Sequence, residues 1–169
     1  MNAPAPVATV LPIAPANANP FVHHGVTLLR AYATAERHVV RRLAEDYLRV
    51  AEQHRGSRNY GNAIHQANIV LGLLEVERGC LDKAERHLER AGCSPASPQL
   101  RFMGPNMLLA RKLLDAGRRE VVLDYLKRCG KIWKMSFGKL WYWKLEVRTG
   151  RTPDFGANLH HLLDYKSFG

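Results

Sequence analysis

The sequence predicts an all-α fold of stacked antiparallel helical hairpins, forming a short right-handed solenoid. Three observations carry this. Apolar residues recur at helical spacing along most of the chain, while Val, Ile and Thr never alternate with polar residues for long. Gly79, Gly117 and Gly150, 38 and 33 residues apart, each follow such a run, where glycine is a normal helix stop. The residues around the first two glycines also match. Leu71, Gly72, Ala84, Leu88 and Ala91 around Gly79 correspond in offset to Leu109, Ala110, Val122, Leu126 and Cys129 around Gly117. Small residues suit the close approach of two helices, and large apolar ones fill the space between. Around Gly150 the same offsets give Tyr142, Trp143, Phe155, Leu159 and Leu162, which keep the apolar character and lose the small residues. A degraded last unit is expected where a stack is capped.

Taken in order, residues 1–20 hold no charged side chain and have prolines at 4, 6, 12, 15 and 20. A secretion leader needs a charged start and an unbroken apolar stretch. The segment therefore reads as a disordered Ala/Pro-rich tail, with a processed leader as the alternative. Residues 21–169 read as a single helical-repeat domain. Its first helix is expected over 26–54 with a break near Ala33, and the glycines of RGSRNYGN (55–62) end it. The next is expected over 63–78, ended by Gly79. Asp82 is a candidate cap for a helix over 83–91, which Gly92 stops. After a connector, Asn106 is a candidate cap for 107–116. Further helices are expected over 119–128, ended by Gly130, and over 133–149, with a break at Ser136–Gly138. A final segment runs from Pro153 to about residue 165.

The connector CSPASPQLRFMGP lengthens the first repeat spacing by about four residues over a 34-residue helix-turn-helix period. Its three prolines, Pro95, Pro98 and Pro105, limit backbone freedom. It reads either as a loop extension that packs Leu100, Phe102 and Met103 under the next helix, or as an ordered lip over one end of a groove.

The first two units resemble tetratricopeptide repeats. The stretch from Asn59 to about Leu159 resembles a group of small bacterial repeat proteins with no assigned activity. NYGNAIH (59–65), SPQL (97–100), GPNM (104–107), LLARKLLDAGRREVVLDYLKRCGKIWK (108–134) and PDFGANL (153–159) carry the likeness. Asn68 and Glu75 depart from the repeat pattern, standing where large aromatics are usual. The resemblance implies the fold and a generic binding role, and no chemistry.

A 46% hydrophobic and 24% charged composition fits a globular protein, and no apolar run is long enough to span a membrane. The three cysteines, Cys80, Cys93 and Cys129, are odd in number and lack a C-x-x-C spacing. They read as reduced thiols in a cytoplasmic protein. The net charge of +10 is uneven, because residues 105–150 hold eleven bases and four acids. That asymmetry points to an anionic partner.

Two surfaces are candidate ligand sites. On the helix over 62–78, the apolar stripe is Ala63, Ala67, Val70, Leu71 and Leu74, and Asn62, His65 and Asn68 fall near the opposite side. In a tetratricopeptide array that side would face the concave groove, joined by Arg111 and Lys112 of the next unit. Amides and bases there suit an acidic peptide or a carboxylate terminus. The competing reading is a solvated outer face with a histidine that satisfies a loop carbonyl. The second surface is KRCGKIWKMSFGKLWYWK (127–144), with Lys127, Arg128, Lys131, Lys134, Lys139 and Lys144 and no acid. Its aromatics include Trp133, Phe137, Trp141, Tyr142 and Trp143. Bases neutralise phosphates and aromatics stack on nucleobases; alternatively the aromatics form the last unit's core. Trp141, Tyr142 and Trp143 are adjacent, so at least one must face outward.

No ligand spacing for a metal is present, and no G-x-S-x-G, Walker or dinucleotide glycine pattern occurs. No catalytic residue, metal or cofactor is therefore assigned. Cys129 lies near Lys127, Arg128 and Lys131 in sequence, but its helix-packing offset predicts a buried, inert thiol. The expected function is a protein- or peptide-binding module, with nucleic-acid binding through 127–144 as the alternative. An enzyme using His65 would first require an Asp or Glu in hydrogen-bond reach of its imidazole. No membrane contact is expected, and a homodimer through the aromatic last repeat is a further expectation.

Overall fold

A computed structural model of the chain describes residues 20–161 and 163. The expected tail over 1–19 and the end of the expected final segment, 164–165, lie outside the described residues. Two helices replace the expected long first one: α1 (Pro20–Thr34) and α2 (Arg37–Gln53). The break falls slightly later than Ala33. Thr34 Oγ1 turns back to donate to the Arg30 carbonyl at 2.9 Å, and Glu36 is extended at φ −65° and ψ 146°. Such a side-chain bond is compatible with a helix end rather than a continuing turn. On α2 the buried stripe is Val40, Ala44, Tyr47 and Ala51, at the spacing of one helical face.

Helix α3 (Tyr60–Glu77) is the centre of the molecule. It packs against α1, α2, α4 (Leu81–Gly92), α5 (Pro98–Phe102) and α6 (Leu108–Asp115). Fourteen of its 18 residues are buried, so it retains almost no solvent face. Its apolar residues face two cores, and Asn62, His65, Asn68 and Glu75 are buried with hydrogen-bond or ion-pair partners. Val70, Leu71 and Leu74 join the core formed with α1 and α2, while Ile69 and Leu73 join the core formed with the later helices. One central helix thus serves both cores.

Asp82 lies inside the first turn of α4 rather than at its cap, which is Cys80. The connector contains α5, opened by Pro98 and capped by Ser97, whose Oγ accepts from the Leu100 N–H at 3.1 Å. Proline is pre-organised for that first position. Helix α7 (Arg119–Ile132) runs through Gly130, which is solvent-exposed, and ends only where Trp133 turns extended at ψ 91°. A turn follows, and α8 (Lys139–Arg148) packs on α7. The final segment contributes a 3-10 turn, Gly156–Leu159. Among the described residues every regular element is helical. Gly79, Gly117 and Gly150 take φ of 73°, 80° and 86°, the left-handed backbone that makes glycine the favoured helix stop.

Candidate functional site

The polar side of α3 is where a groove is expected, and the structure closes it. Asn62, His65 and Asn68 are all buried, at 7%, 0% and 3% exposure. Each is spent on the chain itself. Asn62 donates to Gln99 Oε1 and accepts from the Ser97 hydroxyl, so the connector lies against it. His65 Nδ1 donates to the Ala91 carbonyl at 3.1 Å, and its Nε2 accepts the Asn106 backbone N–H at 2.9 Å. Asn68 donates to the Ile64 carbonyl at 2.8 Å and accepts from His87 Nδ1 at 3.0 Å. The expectation that these three line an open groove is therefore corrected. Of the other two expected groove residues, Arg111 is half-buried and paired with Asp115 at 3.1 Å, and Lys112 is exposed.

Of the two distinctive motifs, GPNM reaches α3 through the Asn106 N–H, and PDFGANL docks on GPNM. Asn106 of GPNM donates to the carbonyls of Leu159 and His161 at 3.1 and 2.7 Å. Asn158 of PDFGANL donates to the carbonyls of Met103 and Pro105 at 3.1 and 3.0 Å, and its own carbonyl accepts the Met107 N–H at 2.8 Å. Tyr125 OH donates to the Asn106 carbonyl at 2.6 Å. These motifs therefore dock on each other over α3.

Within this knot His65 is fixed as a neutral imidazole with its proton on Nδ1. Burial lowers its pKa to about 4, only partly offset by the Ala91 carbonyl. Both ring nitrogens are engaged by backbone groups, leaving none for the carboxylate that catalysis would need. Cys129 is fully buried, and burial pushes its thiol pKa up, away from nucleophilic chemistry.

The two departures from the repeat pattern have partners that the sequence does not announce. Asn68 meets His87, and Glu75 meets Arg41 at 2.7 Å, with Arg78 at 3.5 Å. Burial alone would raise the Glu75 pKa, but the Arg41 bond and the charges of Arg41, Arg78 and Lys83 outweigh it and hold the carboxyl below its usual range. The only sequence signal is the acid itself, placed in the apolar run LGLLEVE.

The second surface is open. Its aromatics divide between core and solvent. Trp133 and Trp143 are buried with ring centroids 5.7 Å apart, and Trp143 meets Phe155 edge-on at 5.0 Å. Their indole N–H groups donate to the carbonyls of Phe102 and Asp154, each at 3.2 Å. Trp133 lies against Gly104, whose φ is 86° and whose absent Cβ would lie 2.5 Å from the indole. Outside this core, Phe137, Trp141 and Tyr142 are 83%, 67% and 52% exposed.

The bases share this stretch of sequence. Lys127, Lys131, Lys134 and Lys139 are exposed, and Lys139 Nζ lies 5.8 Å from the Trp133 ring centroid. Lys144 is half-buried and shares a shallow cleft with Lys127, Arg148, Glu120 and Asp124. Arg128 is half-buried and donates to the Cys93 sulfur at 2.9 Å, apart from the patch. Sequence reasoning missed four members of the surface: Phe102, Met103, Met135 and Leu145, all at least 40% exposed. Of the three connector residues expected inside, only Leu100 is buried, which corrects the expectation for Phe102 and Met103. The Met135 N–H bond to the Arg101 carbonyl at 3.3 Å brings the end of α5 beside the turn before α8.

Among the described residues no group of three or more His, Cys, Asp or Glu side chains could hold a metal ion, and no helix is long and apolar enough to cross a membrane. Comparison of the chain with family models, curated proteins and solved structures finds no match.

Proposed function

We propose that the chain is a protein-interaction module of tetratricopeptide-like helical hairpins whose ligand is an acidic segment of another protein. The hairpin reading is supported by the packing order: α1 on α2, α3 on α4 and α6 on α7, with α1, α3 and α6 also in succession. The observation that carries the binding role is the surface over 127–145. It exposes Phe137, Trp141, Tyr142 and Leu145 among bases, and no acid occurs between Asp124 and Glu146. Exposed aromatics clustered with one sign of charge are characteristic of a contact surface. The polar side of α3 cannot serve in this arrangement, because the chain's own motifs occupy it.

Nucleic-acid binding is the second reading, favoured by the interleaving of exposed rings with lysines. Capture from native lysate at low salt, with half the sample nuclease-treated, separates the two. Both eluates go to mass spectrometry and ultraviolet absorbance. A discrete protein retained after nuclease treatment supports the module reading. Loss of all bound material with nuclease, and affinity falling steeply with salt, replaces it with the nucleic-acid reading.

A further inference from the structure

Resting on the interaction-module reading, we infer that the outer face of α8 receives an acidic amphipathic helix from a partner protein. Helix α8 has two apolar sides. Leu140, Trp143 and Val147 face inward and are buried. Trp141 and Leu145, one turn apart, stand on the other side at 67% and 40% exposure, with Tyr142 beside them. A ridge with this four-residue spacing is what a second helix packs into. The ridge belongs to a ten-residue helix and offers about 15 Å of contact length.

Charge selects the occupant. Lys134, Lys139, Lys144 and Arg148 lie along the same stretch with no acid between Asp124 and Glu146, although Lys144 and Arg148 share a cleft with Glu120 and Asp124. A second copy would set the same bases against one another across a two-fold axis. The nineteen residues before Pro20 contain no acid, and residues 164–169 contain one acid and one base. Neither of these two segments offers the acidic face that would complement the patch. An external helix with aliphatic side chains at i, i+3 or i+4, and i+7, flanked by Asp and Glu, satisfies both the ridge and its rim.

The ring geometry favours a helix over single-stranded nucleic acid. Successive bases need ring faces presented in series. Trp141 and Tyr142 are adjacent on a helix and diverge by about 100°. Phe137 and Phe102 are exposed as well but lie outside α8, and Met103, Met135 and Leu145 offer aliphatic contact rather than stacking.

The test is selection of a displayed library of 20-residue helix-forming peptides, with charge left random, on the full chain. The enriched peptide is then titrated against wild type while tryptophan emission is followed. Trp141 is the exposed tryptophan, so seating of the helix is expected to shift emission to the blue. Enriched sequences are expected to be acidic with the stated apolar spacing. Trp141→Ala with Leu145→Ala is expected to weaken binding by about 30-fold, and Lys134→Glu with Arg148→Glu by about tenfold. All four side chains are exposed or at the rim, and circular dichroism checks that each variant stays folded. No enrichment, basic or non-helical sequences, or affinity unchanged by the Trp141/Leu145 pair overturns the inference. In the last case a peptide that still binds leaves the module reading standing. Retention of a 20-residue oligothymidine or of anionic vesicles, with no peptide enriched, overturns both.

Discussion

Replacing His65 with Gln tests whether the knot over α3 holds a neutral imidazole. The ring is fully buried, and its pKa falls from 6.5 to about 4. The folded protein therefore resists protonation at a pH where the unfolded chain already accepts a proton. Stability from this group is complete above pH 6.5 and is lost as pH falls toward 4. With those two values, His65 by itself accounts for a loss of about 2 kcal/mol between neutral pH and pH 5, and about 3 kcal/mol by pH 4. His87 and His161 are also lowered to about 4 by burial, so wild type alone does not isolate His65. The difference between wild type and His65→Gln does, because both chains keep the other two histidines. Urea unfolding at pH 7.5 and pH 5 supplies that difference. At pH 7.5 the variant is expected to be less stable by about 1–3 kcal/mol, having disturbed the bonds to Ala91 and Asn106. At pH 5 the gap should narrow by about 2 kcal/mol, since glutamine has no proton to take up. Parallel losses in the two proteins, with a constant gap, would refute the neutral buried imidazole.

Three further substitutions probe the packing. Gly104→Ala, at φ 86° and with Trp133 in the way, should cost about 2–4 kcal/mol, whereas Gly117→Ala, at φ 80° but facing open space, should cost only about 1 kcal/mol by urea unfolding. Equal costs would mean that Trp133 yields. Asn106→Ala removes both bonds to the final segment and the bond to Leu108 N–H at 2.8 Å, and should raise amide exchange of Met107 and its neighbours as well as costing about 2–3 kcal/mol. Arg41→Met leaves the buried Glu75 carboxylate facing only the longer Arg78 contact and should cost about 3 kcal/mol, largely recovered in the double variant with Glu75→Met.

The helices were legible because their signals are local. Periodicity and the glycines at 79, 117 and 150 act within a few residues, and the backbone at each of these glycines takes the expected positive φ. The limits of this reading are equally physical. Gly130 suggests a helix stop, but a lone exposed glycine costs only about 1 kcal/mol inside a helix, and the packing of Cys129 and Ile132 carries α7 past it. The division of α3 into apolar and polar sides was misleading, because Ile69 and Leu73 lie among the polar positions and enter the second core. Its polar side is buried by segments 19 to 41 residues away in sequence, through His87, Ala91, Ser97, Gln99 and Asn106. Periodicity cannot register such distant cover. The exposed ridge was legible in part: three adjacent aromatics cannot all turn inward, so one of Trp141, Tyr142 and Trp143 had to face out, though their sequence does not say which. Phe102 and Met103 belong to the same surface only because the turn after α7 returns to α5, a tertiary fact without a local signature.

The closure over α3 bears directly on where a partner can bind. A peptide seeking the amides of α3 would first have to displace the segments bonded to its polar side. Five bonds tie that side to them: Asn62 to Ser97 and to Gln99, His65 to Ala91 and to the Asn106 N–H, and Asn68 to His87. At about 1 kcal/mol net for each, opening costs on the order of 5 kcal/mol, which lowers apparent affinity by more than about a thousandfold. The ridge on α8 carries no such cost. Its side chains are already outside, its helix is fixed from behind by Trp143 and Leu140, and its bases attract an acidic segment before contact. An identical set of ligand contacts would therefore hold far more tightly on α8 than on α3. The interior knot and the open end face are then complementary: a packed interior holds α8 in place, and a helix docking on α8 as proposed would be spared the cost of ordering its receptor.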